Sequence, residues 1–137
     1  FEAYPLSPDE METALRSFPE IRDVTDAVIA ALHCDETRIT LPDLDARIVM
    51  GDARETLPAW DGVADAWFLD GFAPARNPEL WEPDLIRAVA AHTAPGGRCA
   101  TYTAAGVVRR ALAEAGFEVS RVPGFGRKRH MTLGQLA

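Results

Sequence analysis

One stretch, Asp65-Ala-Trp-Phe-Leu-Asp-Gly-Phe-Ala-Pro-Ala-Arg-Asn-Pro78, limits the fold more than any other part of the chain. Ala66 to Leu69 is a short apolar run with two aromatics, bounded by charge and glycine, which is the pattern of a buried strand rather than a helix. Asp70-Gly71 ends it. Pro74 and Pro78 keep the next residues out of helix, because proline lacks the amide donor and restricts the residue before it. A helix is predicted from Trp81 to Ala91. Strand, stiff loop and helix make half of an α/β unit, and in open α/β sheets ligands bind outside the carboxyl ends of the strands. Asp70 stands at such an end.

The rest of the chain extends this alternation. Phe1-Glu2 reads as the end of a strand. Ser7-Pro8-Asp9-Glu10 has the residues of a capping box with proline at the first helical position. Met11, Leu15 and Phe18 share a face, and Pro19 should end that helix. A second helix is predicted over Ile21 to Leu32, with Ile21, Val24, Val28 and Leu32 as its apolar stripe. Arg38 to Leu41 and Ala46 to Met50 read as a hairpin around Pro42-Asp-Leu-Asp45. Asp52 is placed to cap a short helix over Ala53 to Leu57. After the Trp81 helix, Ala94-Pro-Gly-Gly97 is a stop signal, followed by a strand over Arg98 to Thr103. A helix over Ala104 to Ala115 should turn Val107, Val108, Ala111 and Leu112 inward. Phe117 to Arg121 and His130 to Leu133 close the chain as strands joined only by a loop, so they should pair antiparallel. The alternation predicts a mostly parallel sheet covered on both faces.

Length and composition narrow the class. A chain of 137 residues is expected to be one domain with a real core. No apolar run approaches the roughly 20 residues of a membrane span, and no secretory signal pattern is visible. The sequence opens without Met, as a processed chain or a fragment would. Cys34 and Cys99 read as free thiols of a reducing cytoplasm rather than a disulfide. His33, His92 and His130 show no metal-ligand spacing, so no metal is expected. The net charge of −7 argues against a general nucleic-acid binder. Yet from Val119 onward Arg121, Arg127, Lys128 and Arg129 meet no acidic residue, so a local +4 sits on a body of −11.

Four blocks in order carry a resemblance: Asp65 to Pro78 as written above, Ala94-Pro-Gly-Gly97, Ala105-Gly-Val-Val-Arg-Arg-Ala-Leu-Ala-Glu-Ala-Gly-Phe117, and Gly124-Phe-Gly-Arg-Lys-Arg-His-Met131. Together they resemble closely the methyltransferase domain of MnmC, the bacterial tRNA wobble-uridine modification enzyme. The likeness extends more loosely back to Phe1-Glu-Ala-Tyr-Pro-Leu6. It implies a Rossmann-like, S-adenosylmethionine-dependent fold that moves a methyl group onto the primary amine of 5-aminomethyl-2-thiouridine in tRNA. Many members carry a second, FAD-dependent oxidase domain; nothing of that length follows Ala137, so FAD is not implied for this chain, and an oxidase would be supplied separately. Such folds begin with a strand, a glycine-rich turn and a helix, and this sequence starts at what should be the end of the second strand.

The resemblance assigns roles residue by residue. Glu2 corresponds to the acid that accepts the cofactor's ribose hydroxyls, and Gly51-Asp52 to the adenine contact. Asp70 is the expected catalytic group: a carboxylate there would accept the hydrogens of a neutral amine and aim its lone pair, as in the Asp/Asn-Pro-Pro-aromatic loop of many amino-methyltransferases, and it would also face the cofactor. Phe72 is expected either to stack on the base or the adenine, or to plug the core. Pro74 and Asn77 belong to the same loop, where Asn77-Pro78 is also turn chemistry. Arg127, Lys128 and Arg129 are candidates for RNA phosphates, against the plainer reading of a solvated charge run. Two further readings stay open: a non-catalytic module that binds RNA or a partner, and a small-molecule amine methyltransferase in which the basic tail is idle.

Overall fold

The computed structural model describes residues 1–33 and 37–137. Cys34 lies outside the described residues. The chain divides into two compact units, Phe1–Asp52 and Ala53–Ala137.

In the first unit the capping box forms as its residues dictate. The Ser7 hydroxyl accepts from the Glu10 amide at 3.3 Å, and the Glu10 carboxylate accepts from the Ser7 amide at 2.9 Å. Helix α1 runs Pro8–Leu15. It stops before Phe18, which is exposed, and Pro19 opens a short 3₁₀ turn, Pro19–Ile21, instead of ending the helix. Helix α2 spans Arg22–His33. Its buried residue is Ile29, whereas Ile21 and Val24 of the predicted stripe are exposed. The hairpin is shorter and earlier than predicted: β1 (Arg38–Leu41) pairs with β2 (Leu44–Arg47) across a two-residue turn at Pro42-Asp43. Asp45 belongs to the strand, and its carboxylate accepts from the Arg38 guanidinium at 3.0 and 2.5 Å. That pair is exposed, so it contributes little to stability.

The second unit holds α3 (Ala53–Thr56), β3 (Ala64–Phe68), α4 (Pro83–Ala91), β4 (Thr93–Thr101), α5 (Gly106–Glu114), β5 (Phe117–Pro123) and β6 (His130–Leu136). The sheet order is β3-β4-β6-β5, with β3 and β4 parallel and β6 antiparallel to both of its neighbours. Strands β3, β4 and β5 therefore run one way and only the last strand is reversed, the mostly parallel Rossmann-like arrangement expected. The predicted helix from Trp81 begins two residues late. Pro78–Trp81 is a 3₁₀ turn, and Glu82 is extended because Pro83 follows it. Strand β4 starts at Thr93, ahead of the expected stop signal. Ala94 to Gly97 bulge out of the ladder, since Ala64 pairs with Thr93 and Ala66 already with Arg98.

The core is built from Leu57, Trp81, Leu85, Ile86, Val89, Cys99, Val108, Ala111, Leu112 and Phe117. Val107, expected inward, is exposed. Helices α4 and α5 pack together over the face that carries Cys99. The opposite face of this unit, with Phe68, Arg98, Leu133 and Gln135, is exposed, so the expected double cover is not met within the unit. Burial pushes the Cys99 thiol up to about 11, with a backbone hydrogen bond from Gly134 pulling the other way.

Gly134 faces that thiol, and a Cβ on it would lie 2.6 Å from Cys99 Sγ and 3.3 Å from Phe117 Cβ. Gly134→Ala should cost about 1–3 kcal/mol by overpacking. In urea denaturation the Gly134→Ala/Cys99→Ala double variant should lose less than the sum of the singles. Additive losses would mean the thiol is not what the methyl meets.

Candidate active site

The strand ends expected at Phe1-Glu2 and at Met50 are reduced to a single isolated bridge outside β1 and β2. Glu2 forms a parallel bridge with Met50: its amide donates to Val49 O at 2.9 Å, and Gly51 N donates to Glu2 O at 2.9 Å. The structure thus brings Glu2 and Gly51 together, with Asp52 directly following. Glu2 Oε1 accepts from the Tyr4 amide at 2.9 Å, and the rest of this exposed carboxylate faces solvent. Gly51 has φ = +124°, a conformation that strains any residue with a Cβ. A carboxylate that keeps one oxygen open among the described residues, beside a bridge residue followed by a glycine, could take a ribose and a flat ring, as the nucleoside part of a nucleotide-like cofactor requires.

In the second unit Asp70 leaves the carboxyl end of β3 exposed, and among the described residues its carboxylate has no hydrogen-bond partner. The loop after it is pinned rather than loose. Trp81, buried in the core, donates its indole Nε1–H to Phe72 O at 2.8 Å. Gly71 lies against the same anchor: a Cβ there would sit 3.0 Å from Leu80 Cδ1 and 3.6 Å from Trp81 Cζ2. Ala73 O accepts from Arg76 N at 2.7 Å and Asn77 N at 3.1 Å. The Asn77 side-chain oxygen accepts from Leu80 N at 3.3 Å and caps the 3₁₀ turn, so the turn chemistry of Asn77 is realised. Phe72 is 76% exposed, which removes the reading of it as a core plug. Pro74 is half-buried and opens the turn within the loop.

The foot of β3 is braced as firmly. Trp67 Nε1 donates to Thr93 Oγ1 at 2.9 Å, and that hydroxyl donates to Val89 O at 2.6 Å. His92 Nδ1 lies 2.9 Å from Gly62 O, so this nitrogen carries the proton.

Tyr102 was not among the expected site residues. Phe68 pairs with Ala100, and Leu69 N donates to Ala100 O at 2.8 Å, so two residues on Asp70 and Tyr102 leave the sheet side by side. Tyr102 is 56% exposed. The loop after it is held by threonines: Thr132 Oγ1 donates to Thr103 O at 2.7 Å, and Thr103 Oγ1 accepts from Ala105 N at 3.2 Å. The parallel alternation itself was the available signal, because neighbouring parallel strands end next to one another.

Arg127, Lys128 and Arg129 sit exposed on the β5–β6 hairpin. His130 at its base has a pKa below the usual value, through partial burial and then the charges of Arg121, Arg129 and Arg109. Among the described residues no group of three or more His, Cys, Asp or Glu side chains is arranged to hold a metal, and no helix is long and apolar enough to cross a membrane.

Residues 18–137 match a family described as S-adenosyl-L-methionine-dependent methyltransferase. The chain is 48% identical over 133 residues to the tRNA 5-methylaminomethyl-2-thiouridine biosynthesis bifunctional protein MnmC of a Caulobacter species, covering 93% of this chain and 22% of that protein. It is 42% identical over 140 residues to the protein of the same name from Pseudomonas fluorescens, covering 98% of this chain and 21% of the relative. The chain therefore spans about a fifth of the length of these curated relatives. Among solved structures it is similar to MnmC2 from Aquifex aeolicus, with a TM-score of 0.71 and 28% identity over 84% of this chain and 37% of that one. The expected likeness to the MnmC methyltransferase domain is borne out.

The pinned loop makes a checkable statement. Trp81→Phe removes one partly buried hydrogen bond and part of a core ring, and should cost about 1–3 kcal/mol in urea unfolding from the two losses together. Limited proteolysis should then cut faster between Gly71 and Asn77. An unchanged cleavage rate would show that the indole does not anchor the loop.

Proposed function

The chain belongs to the S-adenosyl-L-methionine-dependent methyltransferase family, and from that premise we propose that it is the methyl-transferring domain of a tRNA wobble-uridine modification enzyme. The acceptor is the primary amine of 5-aminomethyl-2-thiouridine, and the product is its N-methyl derivative. The observation that carries this reading is the exposed Asp70 carboxylate at the end of β3, on a loop fixed by Trp81. The names of the relatives support the choice of RNA, as does the basic hairpin on an otherwise acidic chain.

S-adenosylmethionine supplies, when bound, an electrophilic methyl group on a positively charged sulfur. Glu2 would hold its ribose, and Gly51 and Asp52 its adenine. Asp70 accepts the N–H hydrogens of the acceptor amine at its carboxylate oxygens. The amine must be neutral to attack, since an alkylammonium has no lone pair, and a carboxylate acceptor fixes the direction of that lone pair. Tyr102, leaving the sheet beside Asp70, offers a phenol to the same group. Exposed Phe72 presents a ring on which the uracil can stack. Most of the acceleration expected from such a site is alignment. Arg127, Lys128 and Arg129 take RNA phosphates. The reaction is cytoplasmic, where tRNA is modified, and the oxidase step of the bifunctional relatives belongs to another domain or protein.

Two groups of variants should separate in the full-length protein. Asp70→Ala should lower single-turnover methyl transfer to tRNA bearing the aminomethyl group by about 10²–10⁴-fold, with little change in cofactor affinity by calorimetry. Asp70→Asn should fall between parent and Ala if hydrogen-bond acceptance is what matters. Glu2→Gln and Asp52→Asn should do the reverse, weakening cofactor binding first. Full activity in a well-folded Asp70→Ala protein would remove Asp70 from the mechanism.

A further inference from the structure

The β5–β6 hairpin points where the chemistry is. Strands β3, β4 and β5 run in one direction, so the carboxyl end of β5 lies at the same end of the sheet as Asp70 and Tyr102. The register climbs in step: Phe68, Ala100, Leu133 and Ser120 share one rung, and Thr101, Thr132 and Arg121 the next. Pro123 pairs with His130, and Gly124 to Arg129 project beyond the sheet at that end.

This tip is a built turn. Gly124 N donates to Arg129 O at 3.2 Å, and Lys128 N to Phe125 O at 3.1 Å. Any Cβ on Gly124 would collide with the Lys128 carbonyl, and Gly126 adopts φ = +59°, so both glycines are required by the turn. On it Phe125 is 84% exposed. Around it stand the exposed cations Arg127, Lys128 and Arg129, and Arg121 is exposed on the neighbouring strand β5. An apolar ring left in water on a rigid turn, among cations with no acidic residue from Val119 onward, suits a ligand with both a flat face and phosphates.

We propose that Phe125 is a stacking platform for an unpaired base of the RNA loop, flanking the modified uridine, with Arg121, Arg127, Lys128 and Arg129 neutralising the adjoining phosphates. The tip lies two to three strand spacings across the sheet from Asp70, about 10–14 Å. That is too far for the uridine at Asp70 and near enough for a neighbour in the same loop. Stacking on an aromatic ring needs a base that is out of a duplex, so this contact distinguishes a loop from paired RNA. The inference rests on the tRNA reading above and adds the residue that recognises the loop.

Two unmodified RNAs test it by fluorescence anisotropy on the full-length protein: an anticodon stem–loop, and a blunt duplex of the same stem. Phe125→Leu, which keeps an apolar side chain, should weaken stem–loop binding by roughly 5- to 100-fold. It should leave duplex affinity and the salt slope unchanged, and Phe125→Trp should restore stem–loop binding. Replacing Arg121 and Arg129 by Gln should weaken both RNAs and flatten the salt dependence. Parent-like stem–loop binding by Phe125→Leu overturns the stacking role while the tRNA reading stands. A parent protein that binds neither RNA overturns both.

Discussion

The indole of Trp81 holds the loop after Asp70 in place. Its ring belongs to the core, and its Nε1–H reaches the Phe72 carbonyl at 2.8 Å in the loop that follows Asp70. A loop rich in glycine and proline has little internal secondary structure to fix it. Tying one carbonyl to a buried side chain, and seating Gly71 on Leu80 and the indole, converts such a loop into a shelf of the core. Asp70 can then stay exposed, with no hydrogen-bond partner among the described residues, on a fixed backbone. An acceptor whose value lies in alignment needs that fixity.

Strand direction does the rest of the positioning. Because only β6 is reversed, three carboxyl ends gather at one end of the sheet. They deliver Asp70, Tyr102 and, beyond β5, the basic hairpin. From Val119 onward the chain carries four basic residues and no acidic one, opposite in sign to the net charge of the rest. The other half of the expected chemistry, Glu2 with Gly51 and Asp52, sits at an isolated parallel bridge outside the named strands.

Much of this was legible in the residues, and the misses have physical causes. The capping box at Ser7 and Glu10 is a local pattern and held, and of the expected inward residues Val107, Val108, Ala111 and Leu112 all but the exposed Val107 are buried. The helix at Trp81 started late because a proline at position 83 acts on the residue before it, which outweighed the apolar periodicity. Strand β4 began early because a run of alanine, proline and two glycines can bulge out of a ladder as well as end one. Tyr102 escaped notice since Asp70 lies 32 residues earlier and only the sheet register sets the two strand ends side by side. Phe72 had two readings that sequence alone left equal, and its exposure removes the core plug because burial is set by the tertiary fold rather than by the local residues.

The central claim concerns which atom receives the methyl group. The full-length protein, incubated with methyl-labelled S-adenosylmethionine and tRNA bearing 5-aminomethyl-2-thiouridine, would be followed by digestion to nucleosides and mass spectrometry with fragmentation. The account predicts label in a single nucleoside, on the aminomethyl nitrogen. Label on a ring carbon, a ribose oxygen or a different nucleoside would contradict it, as would a protein that methylates small primary amines and leaves this tRNA untouched.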